Sequence, residues 1–305
     1  MVSKITLAEI RESPRVVCAL LGLCAALLVI LVRNNGGLQF LDLDSYDLML
    51  GLKSSRAVTD PRVVLVTGTE ADIEALGEWP MSDQTINRLF ERLTTAGARA
   101  IGLDIYRDMP VPPGSAELRE TLLGNDRIIV VKKFGSKESP GVKPPAYLEG
   151  TDRVGFTDTV VDSGGIVRRG LLFLDDDSGV SYGLGIRLAI LYLADEGIWP
   201  QAGEPDPSHI RFGEVTIPPF EADDGPYIKA DAAGYQLLLS YSEGVDAFPV
   251  VGLTELLDGK VSEAVFQDKI VIIGVAAESV KDSFFTPFSN IMQQHEGIAG
   301  AMVHA

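Results

Sequence analysis

Residues 269–274, with the sequence KIVIIG, form an apolar run rich in β-branched residues that ends at a glycine. Such a run is typical of a strand that is buried on both faces of a parallel sheet. We therefore expect a central strand here, in a chain of the α/β class. Ligands of open α/β sheets usually bind at the carboxyl ends of the strands, which makes Asp282 a candidate contact residue. The alternative is that the Asp282 carboxylate caps a helix or a loop.

Three further runs of the same kind, at 62–67, 98–105 and 127–132, predict additional strands of this sheet. Between the first two, apolar residues recur at helical spacing from Ser82 onward, and Gly97 stands where a C-terminal cap is expected. Strand, helix and strand in this order indicate a βαβ unit, so we expect the first two strands to pair in parallel.

An antiparallel section is predicted next. Residues 155–158 and 166–174 resemble strands, and a turn sequence, DSGG at 162–165, lies between them. Residues 184–194 are apolar on nearly every face but too short to span a membrane, which predicts a fully buried helix. The expected fold class is therefore α/β, with a mainly parallel sheet, helices on both faces and an antiparallel section.

The segment 16–32 is apolar without interruption. As a helix it would extend about 25 Å, just long enough to span a bilayer. A cleaved signal peptide is the alternative, but no convincing small-x-small cleavage site follows the segment. We therefore predict a transmembrane helix at 16–32, continued by a juxtamembrane helix at 38–53.

The charges around this segment predict its orientation. Lys4, Arg11 and Arg15 precede it, whereas three aspartates follow it. By the positive-inside rule, residues 1–15 lie in the cytoplasm and residues 33–305 outside it. The bulk of the chain is therefore expected on the outer side of the membrane.

The net charge excludes some partners. The chain has 43 acidic and 26 basic residues, a formal net charge of −17, which repels nucleic acid and anionic lipid surfaces. We expect no nucleic-acid partner. The three histidines are scattered and both cysteines lie in the apolar segment, so we expect no metal site and no cofactor.

Motifs of common enzymes are missing from the sequence. It contains no G-x-x-x-x-G-K-[ST] phosphate loop, no G-x-S-x-G nucleophile motif and no H-E-x-x-H zinc motif. The predicted strand ends do bring polar side chains to one edge of the sheet, and a tryptophan could cover them. These candidate ligand-binding residues are Glu70, Trp79, Asp104, Arg107 and Asp282. They describe either a small-molecule pocket or a salt-bridged loop layer that stabilises the sheet.

Several short segments together carry a family resemblance. They are 46–48 (YDL), 76–80 (LGEWP), 96–105 (AGARAIGLDI), 162–168 (DSGGIVR), 266–274 (FQDKIVIIG), 282–287 (DSFFTP) and 300–305 (GAMVHA). In this order and spacing they resemble the CHASE domain of the second type, a cyclase and histidine-kinase associated sensory extracellular domain. The resemblance covers nearly all of residues 40–305.

The resemblance implies a sensor that faces the outside, follows one N-terminal membrane helix and precedes further helices. Those helices lead to a cytoplasmic adenylate or guanylate cyclase, a histidine kinase or a serine/threonine kinase. One departure is the TGT sequence at 67–69, where the family would have an Ile-Asp-Glu type of sequence. The family's ligand is generally undefined, so no binding residue is carried over.

Our first hypothesis is a sensory module of a transmembrane signalling protein. We expect a homodimer, an unknown small-molecule or environmental stimulus, no catalytic residue in this chain, and a cyclase that follows Ala305. The apolar, glycine-rich residues 297–305 predict that the sequence continues. The second hypothesis is a membrane-anchored α/β enzyme that uses the same carboxylates as acid and base. The third is a structural interaction module.

Overall fold

The computed structural model describes residues 14–54, 60–135, 140–176, 179–241, 248–280, 283–291 and 298–299. The helices of these ranges are α1 (Pro14–Asn34), α2 (Gln39–Ser54), α3 (Glu70–Leu76), α4 (Asp83–Thr95), α5 (Ser115–Gly124), α6 (Leu184–Ala194), α7 (Leu253–Leu257) and α8 (Pro287–Ile291). Short 3₁₀ helices lie at Glu263–Val265 and Glu278–Val280.

The strands of the described ranges fall into one larger sheet and several smaller ones. They are β1 (Val63–Gly68), β2 (Ala100–Leu103), β3 (Ile128–Lys132), β4 (Val154–Phe156), β5 (Val160–Val161), β6 (Val167–Asp176), β7 (Gly179–Tyr182), β8 (Pro200–Ala202), β9 (Ile210–Phe212), β10 (Val215–Ile217), β11 (Tyr235–Leu238), β12 (Val250–Gly252), β13 (Ile270–Val275), β14 (Ser283–Phe284) and β15 (Ile298–Ala299).

The larger sheet has six strands in the order β12-β1-β13-β2-β3-β4, and every neighbouring pair is parallel. The strand predicted at 269–274 is β13, and its central position is confirmed. The predicted direct pairing of the first two strands is wrong, because β13 lies between β1 and β2. Both strands do belong to the same parallel sheet.

Helices cover both faces of this sheet, as predicted. On one face, α4 packs its stripe of Ile86, Leu89, Phe90 and Leu93, all fully buried, into the larger core cluster. The Ser82 hydroxyl oxygen accepts a hydrogen bond from the Thr85 N–H at 3.2 Å and thereby caps the start of α4. Gly97, with φ of 78°, follows its last turn, so both predicted ends of α4 are confirmed.

On the opposite face, α6 packs Leu184 and Leu188 against β-sheet residues such as Leu65 and Ile272. The prediction of a fully buried helix is wrong. Leu184, Ile186, Leu188 and Tyr192 are buried, whereas the other residues of α6 are half-buried. One side of α6 lies on the sheet, and the other side keeps partial access to solvent.

The antiparallel section begins later than predicted. Strand β4, expected to be antiparallel, instead pairs in parallel with β3 and extends the larger sheet. Its three residues are buried, and a Cβ on Gly155 would lie 2.7 Å from Leu184 Cα, so glycine permits the close approach of α6. The antiparallel section consists of β6 with its neighbours β5, β7 and β11, and the predicted turn at 162–165 connects β5 to β6.

The chain divides into two compact units. One consists of residues 1–47 and 221–231, and the other of residues 48–220 and 232–305. In the first unit, α1 has 21 residues, a mean hydropathy of 2.8 and no buried residue, so its length and composition suffice to cross a membrane. A helix, α2, lies where one was predicted at 38–53, and its juxtamembrane position stays a prediction. The second unit contains the six-stranded sheet.

Candidate functional site

Glu70 begins α3, immediately beyond the carboxyl end of β1. Its exposed carboxylate accepts a hydrogen bond from the backbone N–H of Ser279 at 2.7 Å. This bond holds the pKa of Glu70 below its ordinary value. The contact ties the loop after β1 to the loop after β13, so Glu70 has a structural partner at the edge where a ligand was expected.

Asp72, which the sequence reasoning missed, is the buried carboxylate of the same edge. Its Oδ2 atom accepts hydrogen bonds from the N–H of Thr69 at 2.9 Å and from the hydroxyl of Thr69 at 2.7 Å. Its Oδ1 atom accepts the N–H of Thr254 at 3.0 Å and the Thr254 hydroxyl at 2.5 Å. One carboxylate therefore serves the amino ends of α3 and α7.

The protonation of Asp72 follows from these bonds. Burial alone would raise the pKa of Asp72, but the hydrogen bonds from Thr254 and Thr69 outweigh it, and the pKa lies below its ordinary value. The sequence did carry a signal, because T-x-x-D at 69–72 has the spacing of a capping box. In this part of the edge, the hydrogen bonds of Glu70 and Asp72 form a structural loop layer, whereas the second predicted alternative was a salt-bridged layer.

Trp79 and Asp104 lie on two separate loops of the same region. Trp79 belongs to the loop before α4, and its side chain is 40% exposed. Asp104 directly follows β2, where its N–H donates to the carbonyl oxygen of Ile273 at 2.8 Å, and it is half-buried. Asp282 lies outside the described residues. The proposed ligand contacts of these three residues stay predictions.

Arg107 connects the loop after β2 to the loop that holds Trp79. Its Nη2 atom donates to the carbonyl oxygen of Met81 at 2.5 Å, and its Nε atom lies 3.9 Å from Oδ1 of Asp83. The side chain is only 4% exposed. Burial lowers the pKa of Arg107, and the charges of Asp83 and Glu78 oppose that shift. Arg107 is thus a buried cation beside two carboxylates.

A cavity of about 390 Å³ opens next to Arg107. Its wall includes Asp83, Arg107, Ser115, Leu118, Arg119 and Tyr147. The cavity lies beyond the carboxyl end of β2, between the start of α4 and the start of α5. Its position at a strand end and its mixture of polar and apolar groups are typical of a small-molecule site.

The DSGGIVR segment at 162–168 has a structural role that sequence reasoning did not assign. The buried carboxylate of Asp162 accepts from Arg168 at 3.1 Å and from Arg169 at 2.8 Å, and both arginines are buried. Arg169 also donates to the side-chain oxygen of Gln236 at 2.9 Å, which links β6 to β11. Adjacent arginines in an otherwise apolar strand were the available signal.

Metal coordination has no candidate cluster in the described part of the chain, where no group of three histidine, cysteine or carboxylate side chains is placed to hold an ion. The carboxylates of Glu70 and Asp72 bind backbone and hydroxyl groups of the protein, whereas Arg107 lies beside Asp83 and lines the cavity. The arrangement therefore suits recognition of a ligand or stabilisation of loops.

The described residues thus form an α/β domain with a cavity at a strand end, and one long apolar helix precedes this domain in the chain. The model of the CHASE2 domain family matches residues 24–305. The chain belongs to this family, whose members are sensory extracellular domains. With α1, this membership indicates a membrane protein. No curated protein and no solved structure matches the chain.

Proposed function

We propose that this chain is the extracytoplasmic sensory input module of a transmembrane signalling protein that regulates a cytoplasmic adenylate or guanylate cyclase. The observation that carries the proposal is the CHASE2 match over residues 24–305, which begins within the apolar helix α1. In this arrangement residues 1–15 are cytoplasmic, residues 16–32 span the bacterial inner membrane and residues 33–305 face the periplasm.

The signal passes from the sensory domain to the output domain through a change in the populations of two conformations of the sensory domain. A stimulus that binds one arrangement of the domain more tightly than another shifts the equilibrium between them by its differential affinity. Helix α2, which follows α1 after four residues, is the element whose position would change. A homodimer would bring two copies of α1 together and transmit the change across the bilayer.

The orientation is tested with fusions at two positions of the full chain. A green fluorescent protein fused after Ala305 should stay dark when exported through the Sec route, whereas alkaline phosphatase at the same position should be active. The matched control carries both reporters before Met1, where the pattern should reverse. Fluorescence after Ala305 would contradict the proposed orientation.

The output is tested on the complete gene. Cells that express it should accumulate cyclic AMP or cyclic GMP, and deletion of residues 33–305 should change the level without abolishing expression. If the cells show phosphotransfer to histidine or serine and no cyclic nucleotide, the output domain is a kinase rather than a cyclase, and the proposed sensory role is unaffected. Unchanged output after the deletion would overturn the sensory role.

A further inference from the structure

We infer that the cavity beside Arg107 binds a small organic carboxylate with an apolar body. This inference rests on the proposed sensory function, because it assigns a chemical class to the stimulus. Three observations support it: a buried guanidinium with an unsatisfied N–H, a helix amino end without a side-chain cap, and an apolar wall beside them.

Arg107 supplies the buried positive charge. Its Nε atom is buried and has no hydrogen-bond acceptor among the described residues, since Asp83 Oδ1 is 3.9 Å away. A buried donor without a partner costs roughly 1–3 kcal/mol, and more when it is charged. A carboxylate that enters the cavity is a partner of the right charge, and guanidinium groups bind carboxylates through paired N–H donors.

The amino end of α5 supplies further donors. The first N–H groups of a helix have no acceptor within the helix, and Ser115 and Ala116 of this turn line the cavity. The preceding residue is Gly114, with φ of 94° and no side-chain cap. A Cβ at Gly114 would lie 2.5 Å from Gln84 Cα, so a capping side chain has no room there. The positive end of the α5 dipole therefore lies at the cavity, close to the Asp83 carboxylate that accepts from the Ser115 hydroxyl and to Glu117 of the first turn.

The nearby carboxylates are already engaged. Oδ2 of Asp83 accepts the N–H of Val111 at 3.0 Å and the hydroxyl of Ser115 at 2.6 Å. Glu78 accepts hydrogen bonds from Ser82 and Thr85 at 3.0 and 2.7 Å. These bonds spread the two negative charges over neutral donors. Of the two carboxylates only Asp83 lines the cavity, and the other acidic residue of the wall, Asp108, is exposed.

The rest of the wall selects an apolar body. Leu118, Met109 and Pro145 line the cavity, and the Arg119 guanidinium lies 5.3 Å from the ring centroid of Tyr147. This pair presents a second cation and an aromatic face to the same space. A volume of about 390 Å³ is near the lower end of the range of ligand sites, which favours a small molecule over a nucleotide or a peptide.

The test measures binding by isothermal titration calorimetry to the full chain in nanodiscs. The probes are acetate, butyrate and benzoate, each compared with its uncharged amide, and inorganic phosphate serves as an anion without an apolar body. We expect at least one carboxylate to bind saturably, benzoate the most tightly, and its amide at least about tenfold more weakly, as the loss of a charged hydrogen bond predicts. Equal affinity for acid and amide, or binding by none of the carboxylates, would overturn the inference.

Two variants locate the site. Arg119→Gln removes an exposed cation of the wall without disturbing a buried group and should weaken benzoate about two- to fivefold, as expected for a solvent-screened ion pair. Arg88→Gln is the matched control, because Arg88 is an exposed arginine of α4 outside this cavity, and it should leave affinity unchanged. Arg107→Gln should abolish binding. If that variant fails to fold, the comparison of Arg119 with Arg88 decides, and equal effects of the two would overturn the site.

Different results would refute the carboxylate site and the proposed sensory function. Carboxylate binding that leaves the output of the complete protein unchanged would remove the sensory role of this cavity and keep the site. A ligand-dependent output that Arg119→Gln leaves intact, with no carboxylate bound to the chain, would remove the site and keep the sensory function.

Discussion

Replacement of Asp72 by alanine tests the structural loop layer at the carboxyl edge of the sheet. The substitution removes the acceptor of the hydrogen bonds from Thr69 and Thr254. Each of two helix ends loses a side-chain acceptor for one backbone N–H. Thr69 keeps its own hydroxyl at the start of α3. The N-cap residue of α7 is Gly252, which has no side chain, so the N–H of Thr254 relies on Asp72.

The magnitude follows from the two caps. Loss of a side-chain cap costs about 0.5–2 kcal/mol, so two caps together predict a loss of about 1–4 kcal/mol in the free energy of unfolding. The burial of Asp72 excludes the lowest part of that range and predicts about 2–4 kcal/mol, because the four donors lose a charged acceptor away from bulk water.

The measurement is urea unfolding of the full chain in detergent, followed by the fluorescence of Trp79 and Trp199, the two tryptophans of the sequence. Glu74→Ala is the matched control, because Glu74 is an exposed carboxylate of the same helix, and it should change stability by less than about 0.5 kcal/mol. An Asp72→Ala effect no larger than that of Glu74→Ala would refute the reasoning.

The pH dependence gives a second check on Asp72. Its folded-state pKa lies below the ordinary value, so the ionised carboxylate stabilises the fold above about pH 4. This stabilisation is lost as the pH falls through the folded-state pKa. The difference between wild type and Asp72→Ala should therefore be constant at neutral pH and shrink below about pH 4. A difference that grows on acidification would contradict the assignment.

Three further substitutions probe the packing described above, and urea unfolding measures each of them. Phe90→Ala empties a fully buried position of the larger core and should cost about 3–5 kcal/mol, whereas a loss below about 1 kcal/mol would contradict its burial. Gly155→Ala forces a methyl group against α6 and should cost about 1–3 kcal/mol. The control is Gly124→Ala, whose added carbon meets nothing within 4 Å and which should be neutral or slightly stabilising. Equal effects of the two substitutions would refute the contact between Gly155 and α6. Asp162→Asn removes the negative charge that the buried Arg168 and Arg169 share, and it should cost about 3–5 kcal/mol. A near-neutral result would contradict this assignment.

The elements that were predicted correctly, such as β13 and α4, are those whose own residue pattern shows which of their faces are buried. The run in β13 is apolar on both faces, so only a position between two covered faces suits it. The stripe on α4 and its Ser82 and Gly97 ends are equally local signals. These features predicted the fold class correctly.

The pairing of strands could not be predicted in the same way. In the sheet, β13 lies between β1 and β2, although it follows β2 by nearly 170 residues in the chain. The sequences of β1 and β2 do not show this, because a buried parallel strand can pair with any other strand of similar composition. Strand β4 was misassigned for a related reason. Its three residues give no period, and a neighbouring turn favoured the antiparallel alternative.

The candidate site was predicted in part. The rule that ligands bind at strand ends led to Arg107, which does line a cavity, whereas Glu70 has its carboxylate engaged by Ser279. Asp83, Arg119 and Tyr147 were missed because their proximity depends on where α4, α5 and the loop before β4 meet. Spacing in the sequence carries no record of such long-range contacts.

The late position of β13 in the chain has a consequence for biogenesis. A ribosome releases β1 and β2 long before β13, the strand that lies between them in the sheet. Until β13 is synthesised, the edges of β1 and β2 that pair with it have no hydrogen-bond partner strand. Such non-local closure is slow and exposes the intermediate to aggregation. A nascent chain halted near residue 260 should therefore be a client of chaperones and proteases rather than a smaller folded domain.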